Sequence, residues 1–362
     1  MTSHSTIWVM LRGNPADLPP IVSLLHVLLQ DLGNNVRFVS SASCGLASAY
    51  DRLTEYILPE PALPGPAGKA LHYLQFRRFV SRTLKREAQS DDLIWFGSLD
   101  TALAMAGSPV LQRHPYILHL HELYDTHPRR LQMAGPIARG ARRVVAPEIN
   151  RAAILQVWMK LRRRPAVLPN KPFGHPQQRR IAPSTPATRK ILERYSTDKP
   201  IVIYQGHLSA DRTLTPLAKA MRALPHMQLW LMGKDHGALG DLLTVSENIH
   251  FLGHIPAPLH LEITSHATIG TLCYDPISLN NVFCAPNKIW EYAGFGIPFI
   301  SNCAPSLLGP VRQGVGVMTE MQENSIYSEI SKIYENYQFH SKAAYNFFKN
   351  QDNAMIVRDI LS

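Results

Sequence analysis

Cysteine and long apolar segments are both scarce in this chain of 362 residues. The four cysteines, Cys44, Cys273, Cys284 and Cys303, are widely spaced and form no C-x-x-C pair, which argues against a zinc site or a disulfide framework. No segment reaches the roughly 18 consecutive apolar residues that a membrane-spanning helix requires. The first residues also lack the basic region, apolar core and cleavage site of a secretory signal peptide, so we expect a cytoplasmic location.

The first strand-to-helix turn lacks a glycine-rich phosphate-binding sequence. This turn reads RGNPADLPP over residues 12–20. It contains no G-x-G-x-x-G, and its prolines crowd the approach that a pyrophosphate needs. A dinucleotide-dependent oxidoreductase is therefore disfavoured, and we expect the chain to carry no cofactor.

Positive charge is in excess, with 37 Lys and Arg against 27 Asp and Glu, a formal net charge of +10. An excess of this size favours polyanions or anionic membrane surfaces as partners, but it does not choose between nucleic acid, lipid and nucleotide. Basic and aromatic residues are not interleaved in a recognisable nucleic-acid-binding motif. We therefore expect no nucleic-acid partner.

Apolar strand-like segments alternate with helical ones, which is typical of parallel sheets built from βαβ units. The first series opens with IWVML and the second with IVIY at residues 201–204. Length and pattern together predict two domains. We place the first domain at 1–170 and the second at 200–340, joined by a Pro-, Arg- and Gln-rich linker at 171–199, with a helical C-terminal segment at 341–362.

The segment CAPNKIWEYAGFGIPFISN, residues 284–302, is the most informative about chemistry. A Pro-Asn-Lys entry starts a short helix, and a helix N-terminus leaves backbone N–H groups unpaired and positive, so it can hold phosphate. Lys288 adds a charge in the first turn, and Glu291 lies about one turn further on, where a carboxylate can hold the hydroxyls of ribose. Phosphate and ribose together indicate a nucleotide. The alternative is a core helix that leads into a buried strand.

This segment resembles the donor-site signature of GT-B glycosyltransferases, in particular the family 4 type that uses nucleotide-diphosphate sugars. Many of those enzymes carry two glutamates at E-x7-E spacing; Glu291 matches the second, whereas the first falls on Phe283. The P-N-K entry resembles a branch of bacterial surface-polysaccharide enzymes. The resemblance implies an α/β fold of two Rossmann-like doubly wound domains facing a central cleft, with a last helix that crosses back to the first domain. It also implies donor contacts by Pro286, Asn287, Lys288 and Glu291.

The opening of the second domain, YQGHLSADR at residues 204–212, resembles the G-R-L turn of the same family, whose basic residues hold the diphosphate. After Gly206, the first basic position falls on His207 and the second on Arg212. Arginine presents several donors in a rigid fork that matches phosphate oxygens, although an arginine at a helix start can also lie in solvent. The resemblance implies further donor contacts at Gly233, Lys234, Ile255 and Tyr274.

A strand-like sequence in the first domain, YILHLHELYD, ends in polar residues. The resembling enzymes have a His-Glu or His-Asp pair here, near the transferred sugar and the acceptor. His121 and Glu122 are therefore catalytic candidates, together with Arg212 and Lys288, whose charges can stabilise a departing diphosphate. His119 and His121 share one face of the strand, but no third ligand matches them and the chain has no D-x-D sequence. We expect no metal, and a structural role for His119.

A basic amphipathic helix is predicted from Tyr73, Phe76, Val80 and Leu84, which recur at helical spacing with arginines and lysines on the other side. Two interpretations stay open. The helix can pack on the core with a solvated basic face, or it can attach peripherally to an anionic membrane. The second interpretation suits a lipid-linked acceptor.

We therefore predict a glycosyltransferase that moves a hexosyl or related group from a nucleotide sugar to a saccharide or lipid-linked saccharide acceptor. The resemblance implies retention of anomeric configuration without a metal, in the cytoplasm or on the inner face of the cytoplasmic membrane. A GT-B nucleotide-sugar epimerase is one alternative. A catalytically silent homologue that serves as a binding or scaffold subunit is another, left open by His207 and by the missing first glutamate.

Overall fold

The computed structural model describes residues 6–63, 65–195, 197–212 and 214–362. The chain forms two compact units, each built on its own parallel sheet. Unit 1 holds the chain up to Phe173 together with Asp352–Ser362, and unit 2 is Gly174–Gln351. Among the described residues, no helix combines the length and the apolar character that crossing a bilayer requires.

Unit 1 has a seven-stranded parallel sheet. Its strands are β1 (Ile7–Met10), β2 (Val36–Ser40), β3 (Leu53–Ile57), β4 (Leu93–Phe96), β5 (Tyr116–His119), β6 (Arg143–Ala146) and β7 (Ala166–Val167). Their order is β3-β2-β1-β4-β5-β6-β7, so the direction of winding reverses between β1 and β4, as in Rossmann-type sheets. The helices are α1 (Pro19–His26), α2 (Gly65–Glu87), α3 (Leu99–Ala104), α4 (Val110–Arg113), α5 (Pro128–Gly140), α6 (Ile149–Trp158) and the C-terminal α16 (Asn353–Leu361).

Unit 2 repeats this architecture with six parallel strands. They are β8 (Ile201–Gln205), β9 (Gln228–Met232), β10 (Ile249–Gly253), β11 (Ile269–Leu272), β12 (Phe299–Ser301) and β13 (Gly316–Met318), in the order β10-β9-β8-β11-β12-β13. The helices are α7 (Pro186–Arg194), α8 (Leu214–Met221), α9 (Leu239–Leu243), α10 (His260–Thr264), α11 (Leu279–Val282), α12 (Asn287–Gly294), α13 (Leu308–Arg312), α14 (Glu323–Glu335) and α15 (Tyr337–Asn350). The predicted α/β class with two Rossmann-like units is confirmed.

Helix α12 is seated directly on the sheet of unit 2. Tyr292 is fully buried, and a Cβ on Gly270 of β11 would lie only 2.3 Å from its ring, so a residue without a side chain is needed beneath it. On the same helix, Trp290 stacks on Phe347 of α15 with 4.6 Å between ring centroids. This packing fixes the direction in which the polar face of α12 points.

The predicted strands agree with the structure where a strand is buried on both faces, as in IVIYQ and QLWLM. Such strands are continuously apolar because helices cover both sides of a parallel sheet. The sequence pattern does not predict β3 or β13. Both are edge strands, β3 is only partly buried, and β13 has three residues. The helical C-terminal segment predicted at 341–362 is divided between α15 and α16.

The segment interpreted as a linker, 171–199, contains α7 and is bonded to unit 2 over part of its length. The N–H of Arg180 donates to the Ser265 carbonyl at 3.1 Å, and that of Ile181 donates to Ser265 Oγ at 3.0 Å. The C-terminal helix α16 packs in unit 1, where Val357 and Ile360 belong to the hydrophobic core of that unit.

Candidate functional site

Two glycines bring the turns after β8 and β9 into direct backbone contact. The N–H of Gly206 donates to the Met232 carbonyl at 2.8 Å. A Cβ on Gly233 would lie 1.7 Å from the Gly206 carbonyl oxygen, and Gly233 has a φ of +153°. A side chain therefore has no space at Gly233. Both turns follow the carboxyl ends of their strands, which is where parallel sheets bind ligands.

The side chains of Lys288 and Arg212 converge beside this turn. Lys288 Nζ lies 4.4 Å from the centre of the Tyr204 ring and 5.4 Å from that of Tyr274. The guanidinium carbon of Arg212 lies 4.7 Å from the centre of the same Tyr274 ring. Two cations from segments far apart in the sequence thus lie near one aromatic ring, an arrangement in which the ring offsets part of the cost of desolvating a charge.

Arg212 and its neighbours form an ordered turn at the start of α8. Arg212 Nη1 forms an ion pair with Asp211 Oδ2 at 2.6 Å, and Asp211 also accepts a hydrogen bond from Ser209 Oγ at 2.5 Å. Burial acts to raise the pKa of Asp211, but Ser209 and Arg212 outweigh it and hold the pKa below its usual value. The guanidinium is therefore oriented by an ionised carboxylate.

Two basic side chains near this turn have lowered pKa values. Burial, followed by the charge of Arg212, lowers the pKa of Lys288 to about 8. The pKa of His207 is also lowered, first by burial and then by His236, Arg212, Lys288 and Lys234. Neighbouring positive charges contribute to both shifts after burial, and a bound anion would raise both pKa values.

The N-terminus of α12 adds backbone donors to the same place. Pro286 is the N-cap residue and makes no side-chain capping bond. The N–H groups of Asn287 and Lys288 lie in the first turn, where an α-helix provides no intrahelical acceptor. Their positive ends reinforce the charges of the two cations toward an anionic ligand.

Glu291 follows one turn later and is held by two side chains. Gln205 Nε2 donates to its Oε2, and His260 Nε2 lies 3.4 Å from its Oε1. Burial acts to raise the pKa of Glu291, but the charge and hydrogen bond of His260, followed by the charge of Lys288, hold the pKa below its usual value. An ionised carboxylate with a fixed orientation results.

The remaining predicted donor contacts have less specific surroundings. His207 is exposed, and its Nδ1 lies 2.7 Å from Nε2 of His236. Lys234 is exposed on the next turn. Ile255 is half-buried against the core of unit 2. The N–H of Tyr274 donates to Asn302 Oδ1 at 3.0 Å, which fixes the backbone of that loop.

His121 and Glu122 follow β5 in unit 1, whereas the predicted nucleotide contacts all belong to unit 2. His121 is buried, and its Nε2 lies 3.1 Å from the Gly97 carbonyl; its Nδ1 has no hydrogen-bond partner among the described residues. Burial lowers the pKa of His121 to about 4 despite the Gly97 bond, so the ring is neutral at pH 7. Glu122 is half exposed and lies 3.5 Å from Arg151 Nη1.

His119 is fully enclosed next to His121, with 4.0 Å between the ring centroids. Burial lowers its pKa far below the usual value, and the neighbouring His121 acts in the same direction. Within the described ranges, no three His, Cys, Asp or Glu side chains are grouped so as to hold a metal ion.

Gln205, His260 and His236 contact predicted site residues but are not predicted from the sequence. Gln205 is a polar residue that ends the apolar segment of β8 at the carboxyl edge of the sheet, and this position is the one local signal that could have identified it. His260 begins α10 and His236 lies in the turn after β9, and no local pattern marks either residue.

No protein-family model matches the chain, and no curated protein matches it. Solved structures do match. HepE from Anabaena, in complex with UDP and glucose, has a TM-score of 0.71 at 17% identity over 99% of this chain and 98% of that chain. Sucrose-phosphate synthase from Thermosynechococcus elongatus has a TM-score of 0.69 at 16% identity over 98% and 94%. A putative UDP-N-acetylglucosamine 2-epimerase from Listeria monocytogenes has 0.61 at 12% identity over 99% and 95%.

At sequence identities this low, the similarity to these solved structures is evidence for the fold alone. Two parallel sheets in Rossmann-type order, matched over nearly the whole chain, establish the GT-B architecture that the sequence resemblance implies.

Proposed function

We propose that this chain of GT-B fold is a glycosyltransferase that takes a sugar from a nucleotide diphosphate and transfers it to a saccharide or lipid-linked saccharide acceptor. One observation carries the proposal: Arg212 and Lys288 converge on the ring of Tyr274, with the carboxylate of Glu291 one helical turn beyond. Two cations and a helix N-terminus fit a diphosphate, and an ionised carboxylate fits ribose. HepE, a structural neighbour, has been solved with UDP-glucose, which supports the same class of donor.

The proposed chemistry is loss of a nucleoside diphosphate from the anomeric carbon. The bond between this carbon and the phosphate oxygen breaks, and negative charge grows on the diphosphate. A bond forms from the anomeric carbon to the acceptor hydroxyl oxygen, whose proton passes to the departing diphosphate. Positive groups that are already in place stabilise this charge without reorganisation. In our proposal, Arg212 and Lys288 have this role. On the basis of the family resemblance, we also propose that the transfer retains the anomeric configuration and uses no metal.

In unit 1, we assign the acceptor side of the reaction to His121 and Glu122. The Nδ1 atom of His121 is the lone-pair nitrogen when Nε2–H donates to the Gly97 carbonyl. A neutral imidazole of this kind can accept a hydrogen bond from a substrate hydroxyl. Glu122 is half exposed and provides a carboxylate on the same loop.

The proposal includes peripheral contact with an anionic membrane through α2. Phe76, Val80 and Leu84 are buried, whereas Leu71 and Leu74 are 39% and 57% exposed. The exposed leucines continue along the same helical stripe into Arg78, Arg82 and Lys85, all exposed. Exposed apolar residues next to basic residues suit a bilayer interface with anionic headgroups.

Incubation with a panel of UDP-, GDP- and ADP-sugars and saccharide acceptors tests the proposed function. Release of nucleotide with a glycosylated product, whose anomeric configuration NMR reads directly, supports transfer. Isomerisation of the sugar ring would support the epimerase, an alternative favoured by the likeness to the Listeria protein. Binding without turnover would support the silent homologue, an alternative favoured by His207 and Phe283 at positions where the resembling enzymes carry Arg and Glu. Failure to bind any sugar nucleotide would contradict all three.

A further inference from the structure

The carboxylate of Glu291 has a definite number of acceptor positions left for a ligand. An ionised carboxylate has about four lone-pair positions, two on each oxygen. Gln205 Nε2 donates to Oε2, and His260 Nε2 approaches Oε1 to 3.4 Å. Each oxygen therefore has one protein donor and one further lone pair. The two remaining lone pairs, one on each carboxylate oxygen, can accept hydrogen bonds from the two adjacent hydroxyls of a cis-diol.

The amide of Gln205 is itself locked in one orientation. Thr264 Oγ1 lies 2.7 Å from Gln205 Oε1, and both side chains are buried. Reversing the amide would turn Oε1 toward the Glu291 carboxylate, and two acceptors would then face each other. The Gln205 NH₂ group must therefore point at Glu291.

The three supporting side chains come from two other elements of unit 2. Gln205 ends β8, while His260 and Thr264 begin and end α10. Thr264 Oγ1 also lies 2.9 Å from the His260 carbonyl oxygen. The network thus ties the carboxylate on α12 to a central strand and to a neighbouring helix, so that its orientation does not depend on a bound ligand.

We infer that Gln205 and His260 are positioning residues that hold Glu291 so that it accepts both hydroxyls of a ribose, which makes the site selective for ribonucleotides over 2′-deoxyribonucleotides. The inference rests on the proposed function, since it concerns the same nucleotide site. When the 2′-hydroxyl is missing, a carboxylate that could rotate would find another hydrogen-bond donor. The Glu291 carboxylate is held at both oxygens and cannot rotate, so a deoxyribonucleotide leaves one of its buried lone pairs without a donor.

Isothermal titration calorimetry with UDP and 2′-deoxy-UDP, and with the GDP and ADP pairs, tests the inference on the full chain. We expect the wild type to bind the ribo form about tenfold or more tightly than the deoxy form. Gln205→Leu and His260→Phe should reduce this preference to less than about threefold, mainly by weakening the ribo form. His260→Gln restores a donor and should restore part of the preference.

Gln228→Leu is a matched control, because Gln228 is another buried glutamine, at the opposite end of the neighbouring strand, where it accepts a hydrogen bond from Trp230. It should keep the wild-type preference. Arg212→Lys should weaken both forms and leave their ratio unchanged. An unchanged preference in both Gln205→Leu and His260→Phe, with thermal melts that prove the variants folded, overturns this inference alone. No binding of any nucleoside diphosphate by the wild type overturns the proposed function as well.

Discussion

The ammonium group of Lys288 lies against the backbone of Gly206, so close that a methyl group there would come within 2.8 Å of Nζ. Lys288 belongs to the first turn of α12 and Gly206 to the turn after β8. This contact joins the two segments that the proposed donor site requires. A glycine at position 206 therefore makes room for the lysine, in addition to allowing a φ of +136°.

Gly206→Ala should damage nucleotide binding more than it damages stability. The methyl group displaces the lysine, and loss of a hydrogen bond to a charged group weakens binding about ten- to a hundredfold. Backbone strain alone costs about 1 kcal/mol or more. Gly107→Ala in unit 1 is the control, because Gly107 has a φ of +68° and open space around its Cβ position. Thermal melts and UDP titrations should show similar destabilisation in both variants but weakened binding in Gly206→Ala only; equal UDP affinity in both would refute the contact's importance.

Nucleotide affinity should fall as the pH rises through about 8. The pKa of Lys288 is lowered to about 8, chiefly by burial and then by Arg212, so the free protein loses this charge above that pH. A bound diphosphate favours the ammonium and raises the pKa, so binding takes up a proton there. The phosphate itself is fully ionised in this range, since its second pKa is about 6.

Calorimetry in buffers of different ionisation enthalpy measures this proton uptake between pH 7 and 9.5. Lys288→Arg keeps its charge throughout the range, so its affinity should be nearly independent of pH. A wild-type affinity that stays constant from pH 7 to 9.5 would exclude the lysine from the diphosphate site.

Arg212→Ala should slow turnover far more than it alters folding. Removing one preorganised group from developing charge typically costs about 10²–10³ in kcat. Arg222→Ala is the matched control, because Arg222 also belongs to unit 2 and its exposed side chain pairs with Glu323. Steady-state rates of sugar transfer should separate the two variants; a wild-type rate in folded Arg212→Ala would remove the residue from the mechanism.

Charge reversal on α2 should abolish attachment to anionic vesicles. Each basic residue near such a surface contributes about 1 kcal/mol, so Arg78→Glu with Arg82→Glu should reduce co-sedimentation strongly. Arg189→Glu with Lys190→Glu on α7 changes the net charge equally at exposed positions of unit 2 and should bind as the wild type does. Equal recovery of the wild type with neutral and anionic vesicles would refute the membrane contact.

The sequence predicts those parts of the fold in which burial produces a local pattern of apolar residues. Strands such as β8 and β9 are apolar throughout, because both of their faces are covered. Edge strands such as β3 mix buried and exposed positions and show no such pattern. Arg212 and Lys288 could be proposed together because each lies near the carboxyl end of a parallel strand, and these ends share one edge of the sheet.

The supporting side chains could not be predicted in the same way. Gln205 and His260 reach Glu291 across sequence separations of 86 and 31 residues. The end of β8 marks Gln205 as lying at the edge of the sheet, but no local pattern pairs either residue with Glu291. The same holds for His236, which contacts His207 only because the turns after β8 and β9 lie side by side. Such contacts depend on three-dimensional packing rather than on local pattern.

One crystal soaked with UDP and a second soaked with GDP would show the diphosphate site itself. We predict diphosphate density between Arg212, Lys288 and the N-terminus of α12, with both ribose hydroxyls on the Glu291 carboxylate. Nucleotide bound elsewhere on the chain, or a diphosphate that contacts neither cation, would refute the donor site.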